Sequence, residues 1–176
     1  MNSSGLTLWF TGLSGAGKTT ISQGVYLELK QRGCRVDVLD GDEIRTNLCK
    51  GLGFSKEDRD ENIRRIGFVA SLLNRNQVIV IVAAISPYQA ARDEVRQLNH
   101  NFVEVYVKAS LETCEKRDVK GLYAKARAGQ MKNFTGIDDP YEPPLNPEII
   151  CYTEEENIQD CVDKIIIHLE VNGYIP

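Results

Sequence analysis

Near the start of the chain, Gly12-Leu13-Ser14-Gly15-Ala16-Gly17-Lys18-Thr19 satisfies every fixed position of G-x-x-x-x-G-K-S/T. The glycines let backbone N–H groups turn inward at the start of a helix, where the positive end of the helix dipole favours anions. Lys18 can reach β- and γ-phosphates, and the Thr19 hydroxyl can face Mg²⁺. The ligand class this predicts is a nucleoside triphosphate bound over Gly12 to Thr19. The motif leaves the destination of the phosphoryl group open.

Carboxylates come next, in Leu39-Asp40-Gly41-Asp42-x-x-Arg45. They follow a strand, and ligands of open α/β sheets bind at strand C-termini. One acid can hold Mg²⁺ through water while the other takes the proton of an attacking hydroxyl. The candidates are Asp42 for the base and Asp40 with Thr19 for the metal, an assignment this pattern alone leaves open. The same pattern suits a helix cap, and Asp42 could serve as both. Arg45, one turn further, could bind an anionic acceptor.

Arg59, Asn62 and Arg65, spaced i, i+3, i+6, share a helix face behind Phe54. Alternating acids and bases there also suit a salt-bridged surface helix. No acid closes the Val78–Ala83 strand, so a Walker B carboxylate is missing. Ile85-Ser86-Pro87 follows instead. Ser86 reads as a helix N-cap ahead of a proline at N1, or as a hydroxyl able to contact or accept a phosphoryl group.

The elements that must carry these groups alternate. Strands are expected at Leu6–Thr11, Arg35–Leu39, Val78–Ala83, Phe102–Val107 and Glu148–Tyr152. Helices are expected over Lys18–Gln31 and Lys56–Asn76, from Pro87, from near Leu111, and over Glu154–Val171 behind a Thr153-x-x-Glu156 capping box. This βαβ rhythm predicts one α/β domain with a five-stranded parallel sheet covered on both faces. Lys120 to Pro147 breaks it with glycines, prolines and the bases Lys120, Lys125, Arg127 and Lys132. So long a connection beside a nucleotide site reads as a lid, with Phe134 and Tyr141 available to pack or stack.

Composition sets the outer limits. The 176 residues are 42% hydrophobic and 26% charged, with a net charge of −4, which points to neither a nucleic-acid nor a membrane surface. Five scattered cysteines suit reduced thiols, and Met1 to Gly5 is too short and uncharged for a leader, so a cytoplasmic location is expected.

Together these blocks resemble the adenosine 5′-phosphosulfate (APS) kinases, or adenylylsulfate kinases. The likeness spans nearly the whole chain: Gly12–Thr19, Leu39–Arg45, Gly53–Gly67, Ile85–Tyr88 and the long Arg117–Pro144 block. It implies a three-layer P-loop kinase fold and, in sulfate assimilation, transfer of the γ-phosphate of ATP to the 3′-hydroxyl of APS with Mg²⁺. The products would be 3′-phosphoadenylyl sulfate (PAPS) and ADP. It also implies a homodimer. Matching APS contacts are Asp42, Arg45, Phe54, Arg59, Asn62, Ile85, Lys120 and Phe134, with Ser86 beside them. Phe54 and Phe134 would sandwich the adenine, and the arginines would hold the phosphosulfate. The family assigns a phosphoserine to the Ser86 position, although in-line transfer with Asp42 as base needs only positioning and charge neutralisation. Gln89, Asn133 and Ser110 depart from the family's common arginine, glycine and proline. Two rivals are a P-loop kinase for another small molecule and a nucleotide switch, the latter suggested by Asp118-Val-Lys-Gly121.

Overall fold

The computed structural model describes residues 5–176, so the leader expectation drawn from the first residues lies almost wholly outside it. In chain order the elements are β1 (Leu6–Thr11), α1 (Lys18–Gln31), β2 (Val36–Asp40), α2 (Gly41–Asn47), α3 (Lys56–Arg75) and β3 (Ile79–Ala83). They continue with α4 (Gln89–Leu98), β4 (Phe102–Lys108), α5 (Leu111–Arg117), α6 (Leu122–Arg127), β5 (Ile149–Tyr152) and α7 (Ile158–Val171). The five strands lie in the order β2-β3-β1-β4-β5, all parallel.

Strand periodicity divides the core in two. Leu6, Leu8 and Phe10 of β1, with Ile79 and Ile81 of β3, join Ile21, Val25 and Leu29 of α1 and Ile165 and Leu169 of α7. The intervening Trp9, Val80 and Val82 face the other way, onto Ile63, Ile66 and Ala70 of α3 and Val95 of α4. Burial on both faces explains why β1 and β3 read as continuous apolar runs. Each Leu or Ile so buried contributes about 1.5–3 kcal/mol, and the summed effect fixes which strand ends meet at the site.

Several sequence boundaries shift. The last helix starts at Ile158, not Glu154, and its capping box is Asn157 with Asp160 rather than Thr153 with Glu156. Thr153 is drawn away because its hydroxyl donates to the Ala16 carbonyl at 2.9 Å. Ser86 caps no helix: α4 begins at Gln89 with Tyr88 at its N-cap position. Asp40, not Asp42, caps α2, its Oδ1 accepting from the N–H groups of Asp42 and Glu43. The Lys120–Pro147 segment is not one loop, since α6 occupies its first part. Among the described residues no helix is long and apolar enough to cross a membrane.

Candidate active site

A cleft of about 800 Å³ opens over the C-terminal ends of β1, β2 and β3, where a doubly wound sheet binds ligands. Its walls include Ser14 to Thr19 of the loop, Asp40 at the end of β2, Asp42 and Arg45 of α2, and Phe54, Arg59 and Asn62 around α3. Ile85, Ser86, Lys120 and Phe134 complete the predicted set. Gly12 and Leu13 stay behind the wall. Their carbonyls accept from Lys18 Nζ at 2.8 and 2.7 Å, so they hold the lysine. Gly12 has φ 151, and a Cβ there would sit 2.4 Å from the Val107 carbonyl oxygen, so only glycine lets β1 leave the sheet at this point.

Lys18 is half-buried by area, but its ammonium is tucked beneath its own loop. Burial brings its pKa down from the ordinary 10.5 to about 8, against the opposing pull of Cys114, Asp42 and Asp40 and with a further push from Lys120. Donor loop, carboxylates and lid lysine therefore lie within electrostatic reach of one another. Asp42 is exposed and forms an ion pair with Lys120. Both capping bonds of Asp40 use Oδ1.

Around the acceptor half, α3 supplies two buried polar groups. Arg59 Nε donates to the Phe54 carbonyl at 3.0 Å, and its Nη2 donates to the Asn133 carbonyl of the lid at 2.5 Å. Its burial lowers its pKa, countered chiefly by Asp139, whose carboxylate lies 3.8 Å away. Asn62 Oδ1 is buried without a partner, an acceptor available to whatever fills the cleft. Arg65, expected on the same face, lies outside the cleft, held by Glu61 and the Leu48 carbonyl. Of the aromatic pair, Phe54 is half exposed under the guanidinium groups of Arg45 and Arg59. Phe134 is buried edge-on against Tyr123 at 5.0 Å.

Ser86 occupies a different environment from a free nucleophile. It is 1% exposed, has φ 49, and its Oγ accepts from Trp9 Nε1 at 3.0 Å. Asp118 is likewise explained by structure, because its carboxylate accepts from the N–H groups of Tyr123 and Ala124 and so starts α6. The Asp118–Gly121 resemblance to a switch motif is a helix start.

Arg117, Tyr123 and Thr153 are among the cleft residues that the sequence does not single out as site residues. Arg117 donates to the Ala16 carbonyl at 3.3 Å and the Thr153 carbonyl at 2.7 Å, and Tyr123 Oη donates to the Ser14 carbonyl at 2.9 Å. The signal available for Arg117 and Tyr123 was only their place in the long Arg117–Pro144 block. Thr153 was assigned to a cap. The departures are accommodated: Asn133 takes φ 56, which asparagine tolerates best after glycine. The Ser110 N–H donates to Glu154 at 2.9 Å, which a proline could not do. The Gln89 side-chain oxygen accepts from Arg92 at 2.7 Å, a role closed to an arginine.

Comparison with known proteins gives the family. The family described as Adenylylsulphate kinase matches residues 4–152. The chain belongs to the adenylylsulphate kinase family. The adenylyl-sulfate kinase of Rippkaea orientalis is 65% identical over 175 residues, covering 99% of this chain and 97% of the relative. That of Picosynechococcus is 62% identical over 99% of both. The Mycobacterium tuberculosis APS kinase, solved in complex with AMPPNP and APS, superposes with a TM-score of 0.92 at 44% identity, over 95% of this chain and 98% of that one. The five-stranded parallel sheet is thus the P-loop kinase fold of this family.

Proposed function

We propose that the cleft carries the adenylyl-sulfate kinase reaction, transfer of the γ-phosphate of ATP to the 3′-hydroxyl of APS, with Asp42 as base. The observation that carries this reading is one shared cleft, in which the triphosphate loop faces the Asp42–Lys120 pair and the Arg59–Asn62 face of α3. The bond between the 3′-oxygen and the γ-phosphorus forms as the bond from that phosphorus to the β,γ-bridging oxygen breaks. Asp42 takes the hydroxyl proton, and ADP leaves. Lys18 and the loop N–H groups hold the charge that builds on the phosphoryl oxygens. Arg45, Arg59 and Lys120 neutralise the phosphosulfate, and Phe54 offers the adenine an open aromatic face.

The donor set fits Mg²⁺. Thr19 and Asp40 present hard oxygen atoms beside the loop. Among the described residues no cluster of three acidic, His or Cys side chains forms a cage, so phosphate oxygens and water would complete the shell. Held by Thr19 and Asp40, such an ion would offset the negative charge of the phosphoryl oxygens during transfer. Ser86 contributes through its place in the wall rather than as a phosphoryl carrier, because its hydroxyl is engaged with Trp9. We take the working form to be a homodimer, as the resemblance implies, and its location to be cytoplasmic, which its scattered free cysteines suit; sedimentation at micromolar concentration tests the dimer.

The deciding assay follows ADP release with ATP and Mg²⁺ against APS, AMP, shikimate and gluconate in turn, with PAPS detected directly. Turnover with APS alone is expected. Turnover with another acceptor, or GTP preference without any acceptor dependence, overturns the reading.

A further inference from the structure

Arg92 is the second-largest side chain wholly enclosed by the protein, 1% exposed, and it is not among the residues lining the cleft. Burying a guanidinium is costly unless it is paired and hydrogen-bonded. Glu104 of β4, itself 4% exposed by side chain, lies 3.0 Å from Arg92 Nε, a charge contact that is not an aligned hydrogen bond. Such a pair is weak evidence of a stabilising role, since apolar replacements are often as stable. What the remaining donors hold is more informative. Nη1 donates to the Ser86 carbonyl at 2.6 Å, and Nη2 donates to the Glu142 carbonyl at 2.7 Å and to Gln89.

Those two carbonyls belong to different parts of the site. Ser86 sits in a left-handed turn at the end of β3, in the acceptor wall. Glu142 lies where the lid segment returns to the body. Further bonds cross the same junction. The Glu142 N–H donates to the Pro87 carbonyl at 2.8 Å, and the Gln89 N–H to the Glu142 carboxylate at 2.7 Å. The hydroxyls of Tyr141 and Thr11 share a hydrogen bond at 2.9 Å, while Thr11 donates to the Ile85 carbonyl at 2.7 Å. The outgoing end of the Lys120–Pro147 segment is fastened elsewhere, through Tyr123 to the triphosphate loop, beside the tie that Arg117 makes from the end of α5.

We propose that Arg92 is a positioning residue for the acceptor: it fixes the Ile85–Ser86 turn and locks the lid's return end to that turn. It acts through backbone carbonyls and touches neither substrate. The inference rests on the acceptor reading of the cleft given above. It separates Arg92 from a general stability role, because the donor half is held by other residues.

The test is steady-state kinetics of Arg92→Lys and Tyr141→Phe, with each Michaelis constant measured at saturating co-substrate and thermal unfolding recorded alongside. Lysine keeps the charge facing Glu104 but cannot span the Ser86 and Glu142 carbonyls together. Tyr141→Phe removes one hydrogen bond at the same junction without disturbing any charge, so it stays informative if Arg92→Lys does not fold. The expected result is a rise in the APS Michaelis constant of about tenfold for Arg92→Lys and about threefold for Tyr141→Phe, with that for ATP within twofold of the parent. Unchanged constants in folded variants, or equal rises for both substrates, overturn the inference alone. Absence of APS-dependent turnover in the parent protein overturns the acceptor reading and the inference with it.

Discussion

On the proposed reading, Asp42 and Ser86 differ in role at the scale of single residues. Both line the cleft, but Asp42 is exposed while Ser86 is buried with its Oγ accepting from Trp9. Asp42→Asn is therefore expected to lower kcat by about a hundredfold or more, the usual worth of a general base, with the APS Michaelis constant little changed. Ser86→Ala should keep turnover close to the parent; loss of all turnover would restore a phosphoserine step. Lys18 makes a pH prediction. Burial brings its pKa down from the ordinary 10.5 to about 8 in the free protein, so the side chain loses its proton progressively as pH rises through that value. A triphosphate beside it favours the charged form and raises that value. ATP binding at pH 8.5 should then take up a fraction of a proton, seen as a dependence of calorimetric heat on buffer ionisation enthalpy. The uptake should vanish in Lys18→Met and shrink towards pH 7, where the free lysine is already charged. Asn133 makes a conformational one. At φ 56, Asn133→Ala should cost about 1 kcal/mol, roughly 2–4 °C in melting temperature for a chain of this size, while Asn133→Gly costs nothing.

Elements show where sequence was legible and where it was not. Buried strands declare themselves through their composition, β3 as a β-branched run and β1 as a largely apolar and aromatic one, and α1 through the loop that precedes it and Gly33 that follows it. The short α2 and α6 were hidden because seven- and six-residue helices carry too little periodicity, and their starts depend on side chains bonding locally, Asp40 and Asp118. The shifted start of α7 had a long-range cause: Thr153 bonds to the triphosphate loop, 137 residues away in sequence. Arg59 and Asn62 share one face by spacing, but their burial has no local signal: Arg59 donates to the Asn133 carbonyl of the Lys120–Pro147 segment, while their neighbour Arg64 stays exposed and pairs with Glu61. That contact makes Arg59 an element-scale tie as well as an anion contact. Arg59→Ala should raise the APS Michaelis constant by about tenfold to a hundredfold, the range for losing a charged hydrogen-bonding partner, while melting temperature falls only modestly. An unchanged constant would remove Arg59 from the acceptor site.

Across the whole molecule, the Lys120–Pro147 segment, the lid of the proposed reading, is bonded to both halves of the cleft, which the sheet builds separately. Its outgoing end is bonded to the triphosphate loop through Tyr123, next to the Arg117 tie from the end of α5, and its middle to α3 through Asn133. Its return end is bonded to the β3 turn through Tyr141 and Glu142. A ligand that orders one of these anchorages lowers the entropy left for a second ligand to remove, so the two bindings should help each other. The reciprocity of linkage allows a direct check by thermal unfolding with non-hydrolysable AMPPNP, APS, and both. One ligand at a hundred times its dissociation constant stabilises by about 2.7 kcal/mol. Independent sites would give the sum of the two single-ligand stabilisations. A lid anchored in both halves predicts more than the sum, by about 1–3 kcal/mol, the usual range of a coupling free energy. Tyr123→Phe, which removes the hydroxyl bonded to the Ser14 carbonyl and keeps the ring against Phe134, should shrink that excess while leaving APS binding alone nearly intact. Strict additivity in the parent would mean that the lid covers the two halves without connecting them.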